Sequence, residues 1–376
     1  MSFSTIIEKY RNNSFNKADQ GTRFENLCKA FIKTSSLFAG QGVKDIWLWN
    51  EFPSRKDFGT GHDVGIDLVA RTVDDAYWAV QCKCYSESTI IDKKDVDTFI
   101  SSSSRAFNDV SESGHVVKFS RRLWFDTAIK GFTQHAEECL KNQDPPVTRF
   151  SYYDLAESDV DWDKLDEGLY GELARTSRFA PRPHQQKAIS KTHDYFQDHA
   201  RGKLIMACGT GKTYTSLKIA EKEAPNNGLI LFLAPSIALV GQTLKEWCEQ
   251  SIHPIHGICV CSDPKISQKL SDEDDLQVSV IDLAFPASTS IDAILSQVQS
   301  AKQLQEKDNG LVVVFSTYQS IEVVHEVQKV MGAQLTFDLC VCDEAHRTTG
   351  VKRKGEDTSA FARIHDAEYI KANKRL

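Results

Sequence analysis

Residues 209–213 read Gly-Thr-Gly-Lys-Thr and residues 343–346 read Asp-Glu-Ala-His. These two segments restrict the chain most strongly, because each can act only at a particular place in a fold. A glycine-rich turn lets backbone N–H groups close around a β-phosphate, the lysine neutralises phosphate oxygens, and the following hydroxyl ligates Mg²⁺. Gly209, Thr210, Gly211, Lys212 and Thr213 are therefore candidate triphosphate-binding residues. Asp343 would hold the same Mg²⁺ from a second strand, and Glu344 would orient the attacking water. Met206 stands where the general G-x-x-x-x-G-K-T pattern has its first glycine, so the flanks must carry the assignment. Lys203-Leu204-Ile205-Met206 reads as a short apolar strand entering the loop, and Thr215 to Glu223 has the composition of a helix whose N-terminus would face phosphates. Phe337 to Cys342 is a buried-strand run that delivers Asp343 at its C-terminal end, the edge at which open α/β sheets bind ligands.

Three further segments match the same architecture. Arg182-Pro183-His184-Gln185-Gln186 precedes the phosphate loop, Pro235 to Gln242 follows the apolar run Leu229–Leu233, and Ser316-Thr317-Tyr318-Gln319-Ser320 follows Leu311–Phe315. With the two motifs above, these segments resemble superfamily 2 helicases and translocases. The resemblance implies that Gln185 reads adenine, with Arg182 and His346 also at the nucleotide. It further implies that Pro235, Ser236, Gln242, Thr317 and Gln319 contact nucleic acid. Such loops offer hydroxyls and backbone N–H groups to phosphates, which sets register without reading sequence. The stretch Asp343 to Gly350 looks most like the motors of DNA restriction enzymes.

With 376 residues, two domains are expected. No run of about 18 apolar residues exists, and Met1-Ser2-Phe3-Ser4-Thr5 opens no basic-then-apolar leader. A soluble cytoplasmic protein with no membrane partner is the expectation. The net charge of −7 argues against a globally basic surface, so nucleic acid would be held in local grooves. Of the ten cysteines, Cys82/Cys84, Cys259/Cys261 and Cys340/Cys342 are spaced C-x-C within strand-like runs. That spacing reads as buried thiols in a reducing compartment, and not as zinc or disulfide chemistry.

The chain divides at composition changes. Residues 1–150 end in the breaker cluster Lys141 to Pro146, and residues 151–178 are acidic and read as a solvated connector with short helices. From 179 to 376 strand and helix patterns alternate, which implies a parallel sheet with helices on both faces. Residues 263–308 are polar and weakly patterned, as in an insertion or mobile segment.

The first domain carries the second chemical signal. Gly65 to Ala70 reads as a strand, and Tyr77 to Cys84 as another, joined by a turn at Thr72 to Asp75. Gln81 and Lys83 are two apart and share a face, while Asp67 faces away from Ile66 and Leu68. An Asp, Gln and Lys converging there would be costly to bury without a ligand such as Mg²⁺ and a phosphodiester. A half-buried hairpin with an edge lysine is the bland alternative. Asp63, after His62 in the preceding turn, reads as a turn residue or as a metal neighbour.

This pattern resembles the PD-(D/E)xK nucleases, in their Mrr-like branch where Gln replaces the usual Glu. The resemblance implies a mixed sheet flanked by helices, followed by a RecA-like parallel-sheet P-loop domain. It also implies that Asp67, Gln81 and Glu25 ligate Mg²⁺, Glu25 from the helix at Gly21 to Leu27, and that Lys83 steadies the attacking water or the scissile phosphate. A nuclease ahead of such a motor looks like the start of the type ISP restriction-modification enzymes. The expectation is a Mg²⁺-dependent DNA endonuclease coupled to an ATP-driven translocase on double-stranded DNA. The second motor lobe and the methyltransferase and target-recognition domains of a full-length form are not found in the chain. Without that lobe, nucleotide binding is expected and turnover is not. A stand-alone nuclease-helicase of phage defence or DNA repair, and a non-catalytic DNA-binding module, are the alternatives.

Overall fold

The computed structural model describes residues 2–59, 65–111, 114–141, 143–225, 227–262, 282–345 and 363–376. The chain forms two units, residues 1–177 with 281–286, and residues 178–280 with 287–376.

The first unit opens with α1 (Phe3–Asn13), α2 (Lys17–Thr34) and the single turn α3 (Ser36–Ala39). The α2 helix starts where the Asn16 side chain accepts the Asp19 N–H at 2.9 Å. It buries Phe24, Leu27, Cys28, Phe31 and Ile32, the spacing of one helical face. The strands are β1 (Val43–Leu48), β2 (Leu68–Thr72) and β3 (Tyr77–Lys83), then, after α4 (Lys93–Ser103), β4 (Ala106–Asn108) and β5 (Val116–Asp126). Helix α5 (Gln134–Leu140) leads to β6 (Val147–Phe150), followed by α6 (Tyr152–Ala156) and α7 (Trp162–Asp166). The sheet order is β1-β2-β3-β5-β4, with β6 also on β5. It is mixed: β1–β2, β2–β3 and β4–β5 are antiparallel, β3–β5 and β5–β6 parallel.

The register of β3 sets up the site. Tyr77 and Ala79 belong to an apolar cluster with Phe99, Phe107, Phe119 and Trp124. Gln81 and Lys83 continue that face, since residues two apart in a strand share it. One strand face thus runs from core to polar cleft at its C-terminal end.

The acidic stretch 151–178 is not solvated throughout. Leu155, Val160, Trp162, Leu165 and Ala174 are buried, and the Trp162 ring stacks on Phe31 at 6.1 Å. The acids dominate its composition, but the interspersed apolar side chains turn inward and seal the first unit. Residues 282–286 also cluster with this unit, where the Arg121 guanidinium donates to the Ala284 carbonyl at 2.6 Å.

The second unit runs α8 (Pro183–Tyr195), α9 (Lys212–Glu223), β7 (Leu229–Ala234), α10 (Ile237–Gln250), β8 (Ile255–Val260), α11 (Ile291–Asp308) and β9 (Leu311–Thr317). Then follow α12 (Ile321–Met331), β10 (Phe337–Cys342) and β11 (Ala372–Arg375). Its strands pair in the order β11-β10-β7-β9-β8, every pair parallel. Strands β7 and β9 are buried at every position, as expected of a parallel sheet covered on both faces.

Two expectations fail here. Lys203–Met206 is not a strand, and Ile205 is 81% exposed. Pairing here is confined to one parallel bridge, Arg201 opposite Arg375, and residues 203–206 lie beyond it. Their N–H and C=O groups therefore find no ladder. Second, part of the weakly patterned stretch 263–308 is the 18-residue helix α11, which buries Ile294, Val298, Ala301 and Gln305. Its apolar stripe is too narrow to stand out among polar residues. Residues 263–281 lie outside the described residues.

Candidate active sites

The first site forms where β2 meets β3. Asp67 immediately precedes β2, and its N–H donates to the Val80 carbonyl at 2.8 Å. Its carboxylate Oδ2 accepts the Cys82 N–H at 2.6 Å and the Gln81 side-chain amide. Gln81 is 1% exposed. Its amide nitrogen is spent on Asp67, and its carbonyl oxygen faces Gly65, where an added Cβ would come within 3.3 Å of it and within 3.1 Å of the Phe99 nitrogen. Gly65 also has φ +69°, so only glycine suits this position. The half-buried Lys83 side chain makes no hydrogen bond or ion pair among the described residues. Gly65, Gln81, Lys83, Tyr85, Asp95 and Thr98 line an open cleft of about 310 Å³.

Glu25 sits half-buried on α2. The Cys28 and Cys82 thiols are pushed up mainly by burial, with the fields of Asp67 and Glu25 adding to it, so both carboxylates lie near this thiol pair. Among the described residues no three His, Cys, Asp or Glu side chains cluster as a metal cage. The Asp67 carboxylate and the Gln81 carbonyl are nonetheless hard oxygen donors. That sparse set fits Mg²⁺, which keeps several waters and takes one or two carboxylates. His62 and Asp63 lie outside the described residues.

Tyr85, Asp95 and Thr98 were not picked out from the sequence. Tyr85 had a signal, since it continues the two-residue spacing of Gln81 and Lys83. Burial, with Asp95, Asp126 and Asp67 nearby, raises its phenol, which keeps it a proton donor. Asp95 reads as a cap: its carboxylate accepts the Asp92 N–H at 2.9 Å.

The second site gathers at the C-terminal edge of the parallel sheet. Gly209 and Gly211 have φ +74° and +79°, and α9 begins at Lys212 with Gly211 as its cap. The first-turn N–H groups of α9 thus open toward the loop, a setting that receives phosphate. Lys212 Nζ meets Glu344 Oε1 at 2.7 Å, and this bond is the main cause holding the lysine above its usual pKa. Glu344, expected to orient water, here neutralises the lysine, with φ +51°. Burial, then the Glu344 charge, raises the Asp343 carboxyl.

Gln185 is buried, accepting the Arg182 N–H at 2.8 Å and donating to the Thr210 carbonyl at 3.1 Å. His184 Nε2 reaches the same carbonyl at 3.1 Å. The residue expected to read adenine is therefore engaged with the phosphate loop, beside an exposed Arg182. Thr213 is half-buried in the first turn of α9, and His346 lies outside the described residues. Among the expected nucleic-acid contacts, Gln242 and Gln319 are exposed, while Pro235 is buried. The Ser236 hydroxyl caps α10 by accepting the Leu239 N–H at 3.4 Å, and Thr317 is buried with its hydroxyl on Ser320 at 3.2 Å.

The first unit is thus a mixed sheet with a polar cleft at Gln81 and Lys83 beside Asp67, and the second a parallel sheet with a glycine-rich turn and an Asp-Glu pair at a strand end. Residues 178–376 match the family described as type III restriction enzyme, res subunit, and the chain belongs to that family. Residues 33–172 match a restriction endonuclease family. The solved structure of the ATP-dependent type ISP restriction-modification enzyme LlaBIII bound to DNA is similar over 98% of this chain, with TM-score 0.77 and 28% identity. A probable helicase of African swine fever virus is 25% identical over 169 residues, 45% of this chain. The chain spans 22% of the LlaBIII chain and 16% of the viral protein. No helix among the described residues is long and apolar enough to cross a membrane.

Proposed function

We propose that this chain is the nuclease and first motor lobe of a cytoplasmic restriction enzyme, cutting double-stranded DNA with Mg²⁺ and drawing on ATP for translocation. The observation that carries the reading is the end of β3, where Gln81 and Lys83 share a cleft beside the Asp67 carboxylate. Asp67, Gln81 and Glu25 would hold the metal, which supplies Lewis acidity and an activated water. Lys83, with no partner to displace, would steady that water or a phosphate oxygen. The backbone bond from Cys82 fixes the Asp67 carboxylate, so the donors are preorganised before DNA arrives.

In the motor lobe, Gly209, Thr210 and Gly211 would wrap the phosphates of ATP, and Lys212 would leave Glu344 to pair with them. Thr213 and Asp343 would hold the accompanying Mg²⁺. Gln185 would read adenine only by giving up a bond it already makes. Gln242 and Gln319 are the exposed groups for DNA phosphates, with Pro235, Ser236 and Thr317 shaping those loops. LlaBIII is an ATP-dependent restriction-modification enzyme bound to DNA; that likeness supports the DNA partner and a longer form bearing methyltransferase and target-recognition domains. Incubating the chain with supercoiled plasmid and Mg²⁺, beside an Asp67→Ala variant, tests the nuclease reading. Equal cutting by both would sink it.

A further inference from the structure

We infer that Tyr318 is a positioning residue that couples the DNA-contacting turn after β9 to the nucleotide site. The inference rests on the function proposed above. Tyr318 is fully buried between the exposed Gln319 and the end of β9. Its ring packs in the sheet core with Cys340 and Val314, while its phenol donates to the Asp343 carbonyl at 2.8 Å. That carbonyl lies just beyond β10. The Asp343 N–H still bonds to Leu233 at 2.9 Å, but the chain then turns through Glu344 at φ +51°. The phenol therefore fixes the backbone from which Asp343 and Glu344 project, and Glu344 in turn holds Lys212 at 2.7 Å.

A phenylalanine would fill the same space, and a buried phenol hydroxyl needs a partner. The informative point is that the hydroxyl reaches the Asp343 carbonyl, with the Cys342 thiol also beside it. A one-residue step separates Gln319 from a hydrogen bond to the metal-holding strand end, so a shift of the turn on DNA must move Asp343 or break that bond. The physical links run from Gln319 through Tyr318 and Asp343 to Lys212, all within the second unit.

The test measures binding of a fluorescent ATP analogue with and without a short duplex, for the whole chain and its Tyr318→Phe variant. The wild-type chain should show a change in nucleotide affinity of about fivefold or more on adding DNA, with the same factor in the reverse titration. In Tyr318→Phe that factor should fall below about twofold, while DNA in the absence of nucleotide binds as before. Coupling that persists in the variant overturns the inference, as does a wild-type chain that binds both ligands independently. Loss of both single-ligand affinities with early melting would show a merely structural tyrosine and overturn it too. A wild-type chain that binds neither ligand would instead remove the proposed function, and this inference with it.

Discussion

Each of the two proposed sites contains one lysine, and the two are held in opposite ways. Lys83 ends a buried strand, its side chain with no partner among the described residues; Lys212 begins a helix and is neutralised by Glu344 at 2.7 Å. In the nuclease unit it is the acid that is held, by a backbone N–H and a side-chain amide. In the motor lobe the acid and the base hold each other. On the function proposed above, the first site would take a ligand that adds to it, and the second one that displaces a resident contact. A polyanionic triphosphate can replace Glu344 as the lysine's partner, whereas a single phosphodiester would compete poorly with such a pair.

The largest expected effect tests the first half of that contrast. Lys83→Ala should lower plasmid cleavage on the order of 10²–10³-fold, the loss typical of a donor aimed at developing charge, with an unchanged melting temperature. Asp67→Ala should cost as much activity and also stability, about 1–3 kcal/mol, because it strands the buried Gln81 amide. Calorimetric melting of both variants reads the asymmetry, and equal stability losses would break it. Next, Lys212→Ala should weaken binding of an ATP analogue by about tenfold or more, in line with a lost charge-assisted contact, and leave cleavage of plasmid without ATP untouched.

A smaller effect is expected at Gly211. Its φ of +79° makes Gly211→Ala cost about 1–2 kcal/mol, and the Gln185 amide would also have to move from an added Cβ. A melting temperature equal to wild type would mean the loop is not held as described. Smallest is Glu344→Gln, which releases a half-exposed ion pair worth about 0.2–1 kcal/mol. Nucleotide affinity should rise by no more than about fivefold; a fall would show that Glu344 assists binding and does not compete with it.

The strands β7, β9 and β10 were legible because buried parallel strands read as unbroken apolar runs, and Leu229–Ala234 is such a run. Helix α11 was missed because its buried positions are few and one of them is Gln305, whose amide donates to the Gly228 and Gly310 carbonyls. The sheet hairpin of β2 and β3 was legible from alternation and a turn. The cleft wall on α4 was not, since Asp95 and Thr98 reach β3 only through folding of a segment ten residues downstream.

By itself the sequence determined which chemical groups exist and how far apart they are along each strand: the Gly-Thr-Gly-Lys-Thr turn, the Asp-Glu pair, and the two-residue spacing of Gln81 and Lys83. Those follow from local periodicity and backbone freedom, which neighbouring residues fix. Only the tertiary structure decided which groups are already engaged. Glu344 on Lys212, Gln185 on Thr210, Asp67 on Cys82 and Tyr318 on Asp343 are contacts between segments that the sheets bring together. Hydrogen bonds and ion pairs are short-ranged, so no spacing along a single strand could foretell them.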